Sequence, residues 1–267
     1  MPADHLSWVP ADVDLSRPNV ARVYDYVLGG ANNFGVDREF AKRLLTTLPD
    51  AQFLAQENRA FLRRTVSYLT GAAGVHQFID LGSGIPTVGN THEVVQRIDP
   101  TARVVYVDNE PVAVAHSELI LQDNKNAAAL RADIRDARTV LRHPVTRRMI
   151  DFDEPVAILA FAVLHFVPDE QDPYRLVARY RDATIPGSYL VLSHLTRNSR
   201  PEINDLVRHY RSADNPVTER SEADVAGFFA GYDLVDPGLV TIREWRPEID
   251  LASAGPSPLY GGVGLRI

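Results

Sequence analysis

Phe78-Ile79-Asp80-Leu81-Gly82-Ser83-Gly84-Ile85-Pro86-Thr87 decides the fold of this chain. An apolar strand runs into an acid and then a glycine turn, and such a turn lets backbone N–H groups come close to a ligand. Downstream, in VVYVDNEP (104–111), a second apolar strand ends on Asp108. An acid at that place accepts hydrogen bonds from ribose hydroxyls, which is how an open α/β sheet holds a nucleoside cofactor at its strand ends.

Working outward, short apolar runs alternate with helical ones. The pattern predicts strands at 77–81, 103–107, 128–131, 156–162 and 189–193, with helices at 89–98, 111–121, 134–141 and 173–183 between them. Such alternation argues for a parallel sheet covered on both faces. Before the first strand, residues 1–17 read as an extended arm broken by proline. Val20, Val23, Tyr24, Val27 and Leu28 then share a helical face that stops at Gly29-Gly30. Two further helices follow, one carrying Phe40, Leu44, Leu45 and Leu48, the other running over 51–69. After 193 the pattern loosens into helices at 200–212 and 221–229 and strands at 239–244 and 262–267, with a turn-rich segment at 247–261. The expected organisation is an arm and helical cover over 1–74 and a cofactor-binding core over 75–267.

Composition narrows the function. The 267 residues are 45% hydrophobic, enough for a large core, and carry a formal net charge of −7. No clustered Lys and Arg suits a general nucleic-acid binder. The chain has 0 cysteines, which excludes disulfides, thiolate nucleophiles and cysteine-ligated metals and suits a reducing cytoplasm, the expected location. The start of the chain does not read as a signal peptide, and the longest apolar run, 156–167, is too short to span a bilayer. No histidine–carboxylate group has metal-ligand spacing, so no metal is expected.

A dinucleotide fingerprint would read G-x-G-x-x-G. Here its third glycine is absent beside Pro86, which weakens a pyrophosphate site and with it a nicotinamide-dependent oxidoreductase. A cofactor with one nucleoside and no phosphate, such as S-adenosylmethionine, fits better. A third acid, Asp133, follows the third strand, where it is placed either to accept from an adenine amino group or to cap the next helix. Together with the strand leading into Leu164-His165-Phe166, these features resemble class I S-adenosylmethionine-dependent methyltransferases.

A narrower resemblance rests on RPNVARVYDYVLGG (17–30), Asn32-Asn33-Phe34, Asp37-Arg38, DLGSGIPT (80–87) with Gly89-Asn90, His92-Glu93, YVDNEP (106–111) and VLHFV (163–167). The chain resembles the actinobacterial S-adenosyl methyltransferase family formerly described as a domain of unknown function, over nearly its whole length. That resemblance implies a Rossmann-like fold, a seven-stranded, mostly parallel sheet with helices on both faces and an N-terminal helical cover. It supplies no acceptor.

The expected cofactor contacts are Asp80, Gly82, Ser83, Gly84, Asp108, Asn109, Asp133, Ile134 and Ala162, with Tyr24, Gly29, Gly30 and Asn33 from the cover. The cover reads equally as a lid over the sulfonium end or as a packing helix with a glycine stop. His165, at the carboxyl edge of the sheet, is the candidate general base. It also reads as a substrate contact or a loop-supporting histidine. His194 reads the same way, and His92-Glu93 reads as structural. The expected function is methyl transfer from S-adenosylmethionine to a small-molecule acceptor. The alternative is a non-catalytic module that senses the cofactor or its demethylated product. The acceptor, the atom methylated and the oligomeric state are not legible in the sequence.

Overall fold

The computed structural model describes residues 10, 12–87, 89–197, 201–211, 216–247 and 257–267. Most of the expected arm and most of the turn-rich 247–261 segment lie outside them.

Three helices precede the sheet: α1 (Val20–Val27), α2 (Gly35–Thr47) and α3 (Ala51–Gly71). Asn19 caps α1 by accepting from the Ala21 amide at 2.8 Å. Asp37, in the first turn of α2, is fully buried and accepts from the amides of Phe34 (2.8 Å) and Asn19 (2.9 Å). The same carboxylate takes the Arg22 guanidinium at 3.2 Å, so one acid binds the starts of both helices together. Between them the chain turns around a second buried acid. Asp25 accepts from the Asn32 amide and from Asn33 Nδ2, both at 2.8 Å. A Cβ on Gly30 would lie 2.1 Å from Asp25 Oδ1, so only glycine fits there.

The core then alternates: β1 (Gln77–Leu81), α4 (Thr91–Ile98), β2 (Arg103–Asp108), α5 (Pro111–Leu121), β3 (Ala127–Arg131), α6 (Ala137–Arg142), α7 (Pro144–Met149), β4 (Ala157–Phe161), α8 (Pro173–Asp182), β5 (Tyr189–Leu195), α9 (Pro201–Arg211), α10 (Glu222–Gly227), β6 (Tyr232–Leu234), β7 (Val240–Thr241) and β8 (Leu259–Arg266). The sheet order is β3-β2-β1-β4-β5-β8-β6, with β7 also on β8. Strands β1 to β5 are parallel, and β8 runs antiparallel to its neighbours. The order reverses between β1 and β4, and the crevice at their carboxyl ends is where an open sheet binds ligands.

Strand alternation splits the core between the two faces. Phe78, Val104, Leu159 and Val191 join the apolar cluster under α1–α3, while Ile79, Val105, Ile158 and Leu192 join the cluster under α6–α8 and α10. Phe61 of α3 is fully buried, edge-on to Phe161 at 5.8 Å and to Trp245 at 5.9 Å. Its burial contributes about 1.5–3 kcal/mol, and it fixes the long helix to the sheet.

The sheet differs from the expected seven strands in its last part. β6, only Tyr232–Leu234, was not predicted, because one buried residue followed by two exposed ones carries no strand period. The strand expected at 239–244 ends after Thr241, where Glu244 accepts from the Thr241 amide (3.2 Å) and hydroxyl (2.9 Å) and turns the chain. The helix expected at 134–141 starts only at Ala137, behind an Asp136 cap, and Pro144 begins a separate helix.

Replacing Gly30 by alanine must displace Asp25 from its two partners. We expect Gly30→Ala to lower unfolding free energy by about 1–3 kcal/mol in urea denaturation, with an unchanged m-value. A neutral result would show that the turn has slack around Asp25.

Candidate functional site

The glycine turn is pinned from below. The amides of Gly82 and Ser83 donate to the Val107 carbonyl at 2.8 and 3.2 Å, and the Gly84 amide donates to Asp108 Oδ2 at 2.7 Å. Asp108 Oδ1 accepts from the Glu110 amide at 2.9 Å, so both carboxylate oxygens are oriented. Gly82 and Gly84 have φ of +65° and +67°, in the left-handed region that favours glycine. At Gly82 a Cβ would lie 2.3 Å from Val163 Cγ2, whereas at Gly84 it would meet nothing within 4 Å. Ala162, at the end of β4, also has a positive φ of 49° and is held there by its amide donating to Ser193 Oγ at 2.9 Å. A strained non-glycine residue at a strand end is a recurrent mark of a ligand site.

These elements open onto one cavity of about 580 Å³, within the roughly 300–1,000 Å³ typical of small-molecule sites. Of the expected site residues, Tyr24, Asp80, Gly82, Ser83, Gly84, Asp108, Asn109, Asp133, Ile134, Ala162 and His165 all line it. Gly29, Gly30 and Asn33 do not. They form the turn closed on Asp25, with Asn33 Nδ2 also donating to the Gly30 carbonyl at 3.0 Å.

Electrostatics differ among the acids. Burial pushes Asp80 up to about 6, against the opposing effects of the Thr91 hydroxyl, which donates to it at 2.7 Å, and of the Arg59 charge. Burial also raises Asp108, opposed by the amides it accepts from. Asp133 is instead lowered, chiefly by Arg135, whose Nε lies 2.8 and 2.9 Å from its two oxygens. Behind the turn, Arg59, Asp80, Ser83, Thr91, His92 and Tyr106, with Pro86, Ile120 and Leu121, help line a small nook of about 10 Å³, roughly the room for one water.

The two histidines differ as well. His194 is fully buried, with Nδ1 2.7 Å from the Leu195 carbonyl and Nε2 2.8 Å from Arg220 Nη1. A carbonyl only accepts and a guanidinium only donates, so Nδ1 carries the proton and the ring is neutral. Burial brings His194 down to about 4, and both nitrogens are occupied. His165 stands on the 3-10 turn Leu164–Phe166 after β4, with its carbonyl accepting from the Thr218 amide at 2.7 Å. Its pKa is lowered well below the usual value by burial, then by His194 and the Arg220 cation. Its Nδ1 is buried without a hydrogen-bond partner. His92 Nδ1 meets the Tyr106 hydroxyl at 2.7 Å, and Glu93 accepts from the Gly89 amide at 2.9 Å.

Sequence reasoning missed Arg59. It lines both the main cavity and the nook, donates from Nη2 to the Gly89 carbonyl at 2.9 Å, and buries an unpartnered Nε. In the sequence it is one of several arginines on α3, with nothing to separate it from Arg63 and Arg64. Asn58 was missed too. Its Oδ1 accepts from Ser193 Oγ at 2.6 Å and its Nδ2 donates to the Tyr24 hydroxyl at 3.3 Å. Among the described residues no group of three or more His, Cys, Asp or Glu is placed to hold a metal, and no helix is long and apolar enough to cross a membrane.

Comparison with known proteins bears on the family and the fold. The profile of a family described as S-adenosyl methyltransferase matches residues 6–266. A solved structure of a provisionally assigned methyltransferase from Thermobifida fusca YX is 41% identical, with a TM-score of 0.92 over 97% of this chain and 98% of that one. A DUF574 family protein from Streptomyces avermitilis is 34% identical, with a TM-score of 0.90 over 94% of this chain and 98% of its own. An O-methyltransferase family protein from Burkholderia thailandensis, at 16% identity and a TM-score of 0.53, covers 83% of this chain and 61% of its own and shares the fold. No curated protein matches the sequence.

The burial of Asp80 has a signed consequence for stability. An acid with a raised native pKa binds its proton more tightly folded than unfolded. Its contribution is therefore fully present below the ordinary value of 3.8 and is lost as pH rises through about 6. Relative to Asp80→Asn, the ligand-free protein should lose about 2–3 kcal/mol between acid and neutral pH. Parallel urea-denaturation profiles for the two proteins would show that Asp80 is not held in a desolvated state.

Proposed function

The chain belongs to the S-adenosyl methyltransferase family, and on that premise we propose that it methylates a small-molecule acceptor enclosed in the cavity at the carboxyl edge of its sheet. One observation carries this reading. Among the described residues, two side chains of the cavity lining bury unpartnered polar atoms: Arg59 Nε beside the glycine turn and His165 Nδ1 beyond β4. Buried polar groups are normally bonded, so both mark places where ligand atoms belong.

The residues fit S-adenosylmethionine. Arg59 offers a charged donor for its carboxylate. Asp80 provides a buried acid for its ammonium, which would return that acid to its charged form. Asp108 keeps lone pairs beyond its two amide bonds for the ribose hydroxyls, with Asn109 next to it. Ile134, whose carbonyl accepts from Tyr180 Oη at 2.7 Å, gives the adenine an apolar wall, and Asp133 borders it. When bound, the cofactor supplies an activated methyl group on a positively charged sulfur.

The chain's part is alignment and exclusion of water. The α1–α3 helices of residues 1–74 act as the cover. Tyr24 lines the cavity from α1, while Gly29, Gly30 and Asn33 hold the end of that helix in place rather than touching ligand. His165 meets the acceptor's reacting group. Burial and the nearby Arg220 cation keep the ring neutral, so it offers a hydrogen bond without being lost to protonation near neutral pH. The same cation opposes formation of an imidazolium, so His165 serves an acceptor that needs orientation more than full deprotonation.

Calorimetric titration with S-adenosylmethionine, S-adenosylhomocysteine and NAD tests the reading. We expect micromolar binding of the first two and none of NAD. Asp108→Ala should weaken binding by about 1–3 kcal/mol, and Arg59→Met by roughly tenfold or more. Failure of both sulfur compounds to bind would overturn the proposal. With an identified acceptor, His165→Ala should lower kcat, and the wild-type rate should show no step near pH 6.5 from His165. An intact kcat would remove His165 from the site.

A further inference from the structure

Among the described residues, the charged side chains of the cavity lining are Arg59, Asp80, Asp108, Asp133 and Arg135, all beside the glycine turn or at the ends of β1 to β3. The other side is walled by apolar residues of α1, α2, α3 and α9, namely Val27, Leu44, Leu54, Ile203 and Leu206, and by Leu48, which caps the end of α2. Of the polar groups there, Tyr24 and Asn58 are spent on each other and on their neighbours, and Tyr210 of α9 also lines the cavity. Tyr24 Oη donates to the Ala55 carbonyl at 3.1 Å and accepts from Asn58 Nδ2 at 3.3 Å, while Asn58 Oδ1 accepts from Ser193 Oγ at 2.6 Å. Among the described residues, His165 Nδ1 is the buried polar atom on this side that has no partner.

From this division we propose that the methyl acceptor is an uncharged, largely apolar molecule with one hydrogen-bonding group, which meets His165 while its apolar body packs against α2 and α9. The proposal rests on the methyltransferase reading and specifies the substrate class of that site. A polyhydroxylated acceptor would leave hydroxyls unbonded against leucine and isoleucine, and a charged one would lose its hydration with no opposite charge among the described residues of that wall. An apolar body gains by leaving water for the same wall.

The test uses the full chain saturated with S-adenosylhomocysteine, with binding of 4-phenylphenol, biphenyl-4-sulfonate and myo-inositol measured by calorimetry. Failure of S-adenosylhomocysteine itself to bind would sink the methyltransferase reading. Given that it binds, 4-phenylphenol should bind at least about tenfold more tightly than the sulfonate or inositol. Equal or reversed preference would overturn the acceptor class alone. Leu206 is partly exposed, so a polar change there is tolerable to the fold. Leu206→Asp, and Leu206→Trp as a filling variant, should each weaken 4-phenylphenol while leaving the S-adenosylhomocysteine titration unchanged, which doubles as the folding control. His165→Ala should weaken 4-phenylphenol but not biphenyl, which lacks the hydroxyl. Unchanged 4-phenylphenol binding in all three variants would place the acceptor elsewhere.

Discussion

The cofactor side of the site depends on one carboxylate. Asp108 joins the Gly84 amide of the turn after β1 to the Glu110 amide that opens α5, at 2.7 and 2.9 Å. Two strand ends and a helix start are thereby fixed relative to each other. The positive φ values of Gly82 and Gly84 can persist because this clamp and the Val107 carbonyl over-determine the turn. Burying the acid is costly and shows in its raised pKa. The amide bonds offset part of that cost, and a ligand's hydroxyls would offset more.

The cover is tied to the core next to this clamp. Arg22 of α1 pairs with Asp37 of α2 and lies 3.6 Å from Glu110, two positions beyond Asp108. The Arg22 Nη1 and Glu110 Oε1 atoms attract across that gap without a hydrogen bond, and each is otherwise unpartnered. Breaking a buried pair by removing one partner typically costs about 3–5 kcal/mol, so Arg22 holds cover and cofactor side in one arrangement. The tie also explains why RPNVARVYDYVLGG reads as a continuous motif: Asn19 caps, Arg22 bridges, Asp25 organises the turn, and Gly30 makes room for it.

What was legible in the sequence is what is locally coded. The glycine turn, Asp108, Asp133 and His165 follow strands whose apolar runs announce them, and each falls on the cavity. What escaped depends on pairing across long stretches of chain. Arg59 becomes special only because α3 lies over the turn of β1. His194 is disqualified as a base by its burial and by the loss of its Nε2 lone pair to Arg220, 26 positions away. Gly29, Gly30 and Asn33 carry the composition of a ligand loop, yet their partner is a carboxylate on the preceding helix. The shortening of the strand expected at 239–244 is local instead: Glu244, three positions on, accepts from Thr241 and turns the chain there.

The division of the cavity follows from how the fold is built. Acids arrive at the carboxyl edge because parallel strands end there, so the charged side is tied to the sheet and, on the proposed reading, to the cofactor. The apolar side comes from helices outside the sheet, which can change their side chains without disturbing β1 to β5. On the acceptor class proposed above, specificity would sit in cavity-lining positions such as Leu44, Ile203 and Leu206. Helical periodicity marks these residues as core, because a leucine facing a cavity and a leucine facing a strand carry the same period. The strand ends are therefore legible in the sequence, whereas the apolar wall on which the proposed acceptor class rests appears only once the helices are packed.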